Sequence, residues 1–165
     1  MRAQDFLREY EVEWIYHFTD AANLSSIHKY GLVPYATLLS RNLGPQRPGG
    51  SESSHVQDSR SGRDGFVHLC FVPDHPMAHV AQREGRIENL VWVEVSSQVL
   101  CWQGVQGCRT LANTVGARVL PIEDALETID LGSLFASDGP ARARKAQILV
   151  PGSVPPRRLR IPNGC

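Results

Sequence analysis

Apolar and polar positions alternate along several short segments of the chain, which predicts β-strands. The first, VEWIYHFT at residues 12–19, places Trp14 on one face and Ile15 on the other. Three further segments predict strands: GFVHLCFVP at 65–73, NLVWVEVSS at 89–97 and KAQILVPGSV at 145–154. PPRRLRIP at 155–162 predicts one more strand at a sheet edge, whereas QVLCW at 98–102 either extends the third strand or turns away from it.

Helical patterns lie between these strands. Asp20 is a suitable cap for a helix over AANLSSIHKYG, in which Leu24 and Ile27 form an apolar stripe and Gly31 is a C-terminal stop. Two more helices are predicted, HPMAHVAQRE at 75–84 and IEDALETIDLGSLF at 122–135. Strands with short helices between them indicate an α+β fold.

A long polar stretch at residues 42–64 is rich in Gly, Ser, Pro and Arg, and it predicts an extended loop. Loops of this length are uncommon inside compact domains and are usually either functional or disordered. Arg41, Arg47, Arg60 and Arg63 lie in or beside it, where they could equally be ordinary solvated side chains.

Composition predicts one globular domain over residues 1–165, because 42% of the residues are hydrophobic and 21% are charged. The zero net charge neither favours nor excludes nucleic acid. No signal-peptide pattern or membrane-length apolar run is present, and the four cysteines form no C-x-x-C pair. These features predict a cytoplasmic protein with reduced thiols. His75 and His79 have helical spacing, but Pro76 separates them and no third ligand is evident, so no metal is expected.

Several segments, taken in order, resemble the DarT-type ADP-ribosyltransferases. They are IYHFTDAANLSSIHKYGL, HVQDSR, GFVHLCFVPDHPM, VWVEVSS and RKAQILVPGSVP. Each is weak alone, but together they follow the order of the family's motifs along nearly the whole chain. The resemblance implies a split β-sheet core that grips NAD in a cleft. It also implies a toxin that moves ADP-ribose from NAD to a base of single-stranded DNA, with a macrodomain antitoxin that removes the mark.

The same resemblance implies roles for individual residues. His17 and Thr19 would hold the adenosine side of NAD, and Asn23 would support them. The nicotinamide side would be lined by Phe71 and Met77. The catalytic or phosphate-facing arginine would be Arg60, with Arg63 as its rival, and the arginines expected to contact DNA are Arg41, Arg47 and Arg63. Taken alone, His17 and Met77 would more often be core residues.

Gln147 occupies the position where the family keeps its catalytic glutamate. An amide retains a hydrogen bond to a ribose hydroxyl but lacks the charge that stabilises an oxocarbenium-like transition state. Three explanations stay open: a naturally weakened relative, an intentionally inactivated variant, or another carboxylate such as Glu123 or Glu127 acting instead. Cys70, where the family tends to have an aromatic residue, is a second departure.

Two other functions compete with DNA modification. The chain could be a binding module of the same fold that recognises a nucleotide or nucleic acid without transfer. It could also be a transferase whose acceptor is RNA, protein or a small molecule. Consumption of NAD separates the enzyme from the module, and the identity of the modified molecule separates the acceptors.

Overall fold

The computed structural model describes residues 1–163, which form one sheet surrounded by short helices. The strands are β1 (Trp14–Asp20), β2 (Phe66–Cys70), β3 (Leu90–Ser96), β4 (Gln106–Cys108), β5 (Leu120–Pro121), β6 (Gln147–Pro151) and β7 (Leu159–Arg160). The helices are α1 (Ala3–Glu9), α2 (Leu24–Tyr30), α3 (Tyr35–Ser40), α4 (Glu52–Arg60), α5 (Pro76–Arg83), α6 (Ile122–Thr128) and α7 (Leu131–Phe135). The predicted α+β class is confirmed.

The sheet is antiparallel throughout, in the order β5-β4-β6-β2-β1-β3-β7. Four of the predicted strands correspond to β1, β2, β3 and β6, and the predicted edge strand is β7. The segment 98–102 turns away from the sheet, because Ser97–Cys101 forms a 3-10 turn. The pattern gave no indication of β4 and β5, which are too short to show alternation.

The sheet is split at its centre. In the described part of the chain, β1 and β2 share one register pair, Tyr16 with Cys70, whereas β1 and β3 pair along their whole length. Strands that meet at one point diverge beyond it and leave a gap. The expected split core is therefore present, with β5-β4-β6-β2 on one side of the gap and β1-β3-β7 on the other.

One face of the sheet is closed by the hydrophobic core. Phe6 of α1 and Ile15 of β1 are fully buried there, together with Leu126 of α6 and Leu134 of α7. Burying apolar side chains of this size contributes about 1.5–3 kcal/mol each. Helix α1, which provides Phe6, was not predicted.

The helix after β1 forms much as its sequence predicts. The Asp20 carboxylate accepts a hydrogen bond from the backbone N–H of Ala22 (2.8 Å) and caps a 3-10 turn that leads into α2. Gly31 ends α2 with φ +77°, and a Cβ at this position would lie 2.1 Å from the Val154 carbonyl oxygen. A glycine is required there because both the left-handed backbone and the close approach exclude a side chain.

Two expectations about helices were wrong in part. The polar stretch 42–64 contains α4, which is capped by Ser51 Oγ accepting from the N–H of Ser54 (3.2 Å). No residue of α4 is buried, so the helix has no apolar stripe that a sequence pattern could reveal. The predicted helix 122–135 is two helices, because Ile129 has an extended backbone and Asp130 caps α7 separately.

Candidate functional site

A cleft of about 360 Å³ opens where the two halves of the sheet diverge. Its walls come from β1, β2, the segment 43–51, α4 and the start of α5, and Gln147 of β6 also lines it. A cavity of this size falls in the range of small-molecule sites. Segments that are far apart in the chain therefore meet at one place because of the sheet topology.

His17 connects the two halves of the sheet. Its Nδ1 lies 3.1 Å from the carbonyl oxygen of His68, and since a carbonyl only accepts, Nδ1 carries the proton. Burial lowers the pKa of His17, so the ring is neutral at pH 7. Its Nε2 is consequently a hydrogen-bond acceptor at the cleft.

The Gln147 side chain is held in place by the backbone of Ala112. Its Oε1 accepts a hydrogen bond from the Ala112 N–H (2.8 Å). The Ala112 carbonyl in turn accepts one from the Arg63 guanidinium. Cys70 and Cys108 are the register partners of Gln147 on either side. Burial raises the pKa of the Cys70 thiol, which keeps it protonated and unreactive.

Asn23 connects the start of α2 to the segment 43–51, which lines the cleft. Its Nδ2 donates to the Arg47 carbonyl (2.7 Å) and to Thr19 Oγ1 (3.0 Å), and its Oδ1 accepts from the Arg47 N–H (3.2 Å). The Arg47 guanidinium forms an ion pair with Glu88 (2.8 Å). Asn23 is 6% exposed, so it acts by holding Thr19 and Arg47 in place.

Met77 lies in the first turn of α5 and lines the cleft. Its N–H donates to Nδ1 of His75, which caps the helix (3.2 Å). His75 is fully buried and stacks on Phe18, with ring centroids 5.8 Å apart. Burial lowers the pKa of His75 to about 4, so the capping nitrogen stays unprotonated at neutral pH.

The structure brings most of the expected site residues to the cleft. His17, Thr19, Asn23, Arg47, Arg63, Met77 and Gln147 all line it. Three others are not there. Phe71 is 2% exposed and packs edge-to-face on Phe6 in the core, and Arg41 and Arg60 are exposed at the ends of α3 and α4. Of the two rival arginines, Arg63 lines the cleft and Arg60 does not.

Residues that sequence reasoning missed also line the cleft. His68 of β2 lies there with His55 and Asp58, which are one turn apart on α4. The spacing of His55 and Asp58 would have indicated a shared face if the helix had been recognised. The carboxylates considered as substitutes for a glutamate are elsewhere: Glu127 pairs with the N-terminal amine, and Glu123 lines a separate depression.

The charges at the cleft suit an anionic ligand with sugar hydroxyls. Arg47, Arg63 and Arg86 line it, together with Asp58 and Asp64. The Arg47 and Arg86 guanidinium groups are paired with the exposed carboxylates of Glu88 and Glu84, with which an anionic ligand would compete. Guanidinium groups pair well with phosphate oxygens, and neutral imidazoles and hydroxyls suit ribose and base edges. Within residues 1–163, no group of three or more His, Cys, Asp or Glu side chains could hold a metal ion. No helix among the same residues could span a membrane.

Solved structures of related proteins share this fold. DarTG from Thermosipho africanus in complex with ADP-ribose has a TM-score of 0.68 and 19% identity, covering 89% of this chain and 42% of its own. DarT from Thermus sp. 2.9 in complex with ADP-ribosylated ssDNA has a TM-score of 0.64 and 22% identity, covering 88% and 78%. The same Thermus protein with NAD+ has a TM-score of 0.61 and 21% identity, covering 91% and 80%.

The family is shown by the sequence itself. No curated protein matches the chain. A family model described as "ssDNA thymidine ADP-ribosyltransferase, DarT" matches residues 16–160, which include β2 to β7, most of β1 and every residue that lines the cleft. The chain therefore belongs to the DarT family of ssDNA thymidine ADP-ribosyltransferases.

Proposed function

We propose that this chain binds NAD in the cleft and transfers its ADP-ribose to thymidine in single-stranded DNA. The observation that carries the proposal is the meeting of His17, Thr19, Arg63 and Met77 at the split in the sheet of a DarT-family chain. The complexes of the Thermus protein with NAD+ and with ADP-ribosylated ssDNA support the two substrates.

Each residue has a chemical task that fits this reaction. His17 Nε2 and the Thr19 hydroxyl would bind the adenosine side of NAD, and Arg63 would pair with the diphosphate. Met77 would contact the nicotinamide side. Arg47, on the segment held by Asn23, would contact a DNA phosphate, whereas Arg41 and Arg60 would reach only DNA that extends beyond the cleft.

Gln147 makes the transfer slow in this proposal. Breaking the C1′–N bond to nicotinamide develops positive charge on the ribose, which an amide offsets less well than a carboxylate. Loss of one preorganised group of this kind costs a factor of about 100–1,000 in rate. Because Oε1 is occupied by the Ala112 N–H, the amide also has less capacity to accept a ribose hydroxyl.

The hydrogen bond between Gln147 Oε1 and the Ala112 N–H favours a second candidate function, which is binding of NAD or DNA without transfer. In that case the chain would keep the cleft but would not cleave NAD. The two functions differ in one observable, the release of nicotinamide.

The test compares the chain with Gln147→Glu, using NAD and single-stranded oligonucleotides with and without thymidine. The matched control is Gln103→Glu, which adds the same charge at an exposed position outside the cleft. We expect a mass gain of one ADP-ribose on thymidine-containing DNA, about 100–1,000 times faster for Gln147→Glu. NAD binding without any mass gain in either protein would overturn the transferase and leave the binding module.

Two further expectations accompany this function. A macrodomain antitoxin that removes ADP-ribose from DNA is the expected partner, and incubating modified DNA with a purified macrodomain should restore its original mass. The cytoplasmic location expected from the sequence stays a prediction.

A further inference from the structure

The cleft contains a carboxylate that the resemblance to the DarT family did not indicate. Among the described residues that line it, Asp58 and Asp64 have acidic side chains. Gln147 carries no charge, so any anionic catalytic group of this cleft must come from elsewhere. Glu123 and Glu127 lie outside it.

The Asp58 carboxylate has capacity to bind a ligand. Its Oδ1 is buried and has no hydrogen-bond partner among residues 1–163. By contrast, the Asp20 carboxylate accepts from three backbone N–H groups, and Asp130 caps α7. A buried oxygen without a donor costs free energy, which a ligand that donates a hydrogen bond to it would recover.

Histidine side chains face Asp58 from two elements. His55 lies one turn earlier on α4, stacks on Tyr35 with ring centroids 3.8 Å apart, and has a buried Nε2 without a partner in the described chain. His68 of β2 donates from Nε2 to the Arg63 carbonyl (3.3 Å). The charged groups around the carboxylate are therefore His55, His68, Arg63 and Asp64.

Burial affects the two neighbours on α4 in ways that suit proton transfer. Burial raises the pKa of Asp58, against the lowering influence of His68, His55 and Arg63. Burial lowers the pKa of His55, so its ring is neutral at pH 7. A base works best when its pKa approaches the working pH, and burial moves the pKa of Asp58 in that direction. The lowered pKa of His55 keeps this neighbour of Asp58 uncharged.

We propose that Asp58 is a catalytic base of this cleft that accepts the proton lost by the acceptor base of the DNA. The inference rests on the transferase function proposed above. In the step, the C1′–N bond to nicotinamide breaks and its electron pair stays on the nicotinamide nitrogen. The acceptor ring nitrogen forms the new bond to C1′, and its N–H proton passes to the Asp58 carboxylate. Gln147 keeps only a neutral hydrogen-bonding role.

The test measures transfer, NAD affinity and thermal stability for Asp58→Asn and Asp58→Glu, each in the chain as it stands and with Gln147→Glu. Glu52→Gln is the matched control, because Glu52 is an exposed carboxylate on the same helix and outside the cleft. We expect Asp58→Asn to slow transfer by about 100-fold or more with NAD affinity and stability retained. Asp58→Glu should restore part of the rate, and Glu52→Gln should leave it unchanged.

The dependence of the rate on pH gives a second readout. Transfer should rise with pH as Asp58 loses its proton, and this acid limb should disappear in Asp58→Asn. Undiminished transfer by a folded Asp58→Asn would overturn the inference and leave the transferase function intact. The inference would also be overturned if transfer appeared only with Gln147→Glu and its rate were unchanged by the Asp58 substitutions. If no protein transfers ADP-ribose, the proposed function and this inference both fall.

Discussion

At the scale of single residues, Phe71 belongs to the core and not to the cleft. Its ring is 2% exposed and packs edge-to-face on Phe6, with centroids 5.9 Å apart. Phe71→Ala should therefore lower the free energy of unfolding by about 3–5 kcal/mol. Phe71→Leu should cost less and leave NAD affinity unchanged, as urea unfolding and calorimetric titration would measure.

Phe135 provides the control for this prediction. It lies in the same aromatic group, 6.2 Å from Phe6, but is 36% exposed, so Phe135→Ala should cost less than Phe71→Ala. If Phe71→Leu kept its stability but bound NAD weakly, the prediction would be contradicted and Phe71 would contribute to NAD binding.

Sequence reasoning placed a residue at the cleft where a short motif fixes its position. His17 and Thr19 are two residues apart on one strand, so recognising the strand placed both on one face. Phe71 follows the last residue of β2, where alternation ends and no longer predicts the face. Arg60 and Arg63 are three residues apart across the end of α4, and only the position of that end decides which one reaches the cleft.

At the scale of elements, the segment 45–50 is held to α2 by one side chain. Asn23 makes two hydrogen bonds with the Arg47 backbone and one with Thr19. Asn23→Asp keeps the acceptor for the Arg47 N–H but loses both donated bonds. We expect weaker NAD binding and faster proteolysis within 45–50, because the half-buried Arg47 carbonyl loses its donor, and a lost hydrogen bond of this kind costs about 1 kcal/mol.

Ser25→Ala is the matched control, since Ser25 is exposed two residues later, in the first turn of α2. It should change neither proteolysis nor NAD affinity. Equal cleavage rates for Asn23→Asp and the unchanged chain would show that Asn23 is not what holds the segment.

Elements were predictable to the extent that their side chains meet the core. Strands β2, β3 and β6 bury alternate or consecutive apolar residues, and β1 buries Ile15 between half-buried aromatic residues, so their patterns are visible in the sequence. Helix α4 buries none of its residues, so only its Ser51 cap and the Glu52 in its first turn indicate a helix. The cleft-lining residues His55 and Asp58 were missed for this reason.

At the scale of the whole molecule, the cleft depends on which strands are neighbours. His17, His68 and Gln147 come from β1, β2 and β6, and they meet because β2 lies between the other two strands. Local periodicity predicts that strands exist but carries no information about their order. The single register pair between β1 and β2, which opens the cleft, is likewise a property of packing between distant segments.

The stability of the whole chain should depend on pH through His75. Its pKa is about 4 in the folded protein against an ordinary value of 6.5, so the unfolded chain binds more protons between these values. The contribution of His75 to stability should be constant above pH 6.5 and fall by about 3 kcal/mol as the pH drops to 4. Burial also lowers the pKa of His17 and of His55, so these groups add to the same slope. Asn caps helices without titrating, so His75→Asn should reduce the slope of the urea-unfolding profile in this range, whereas exposed His28→Asn should not. Equal slopes for His75→Asn and the unchanged chain would assign the acid sensitivity to other groups.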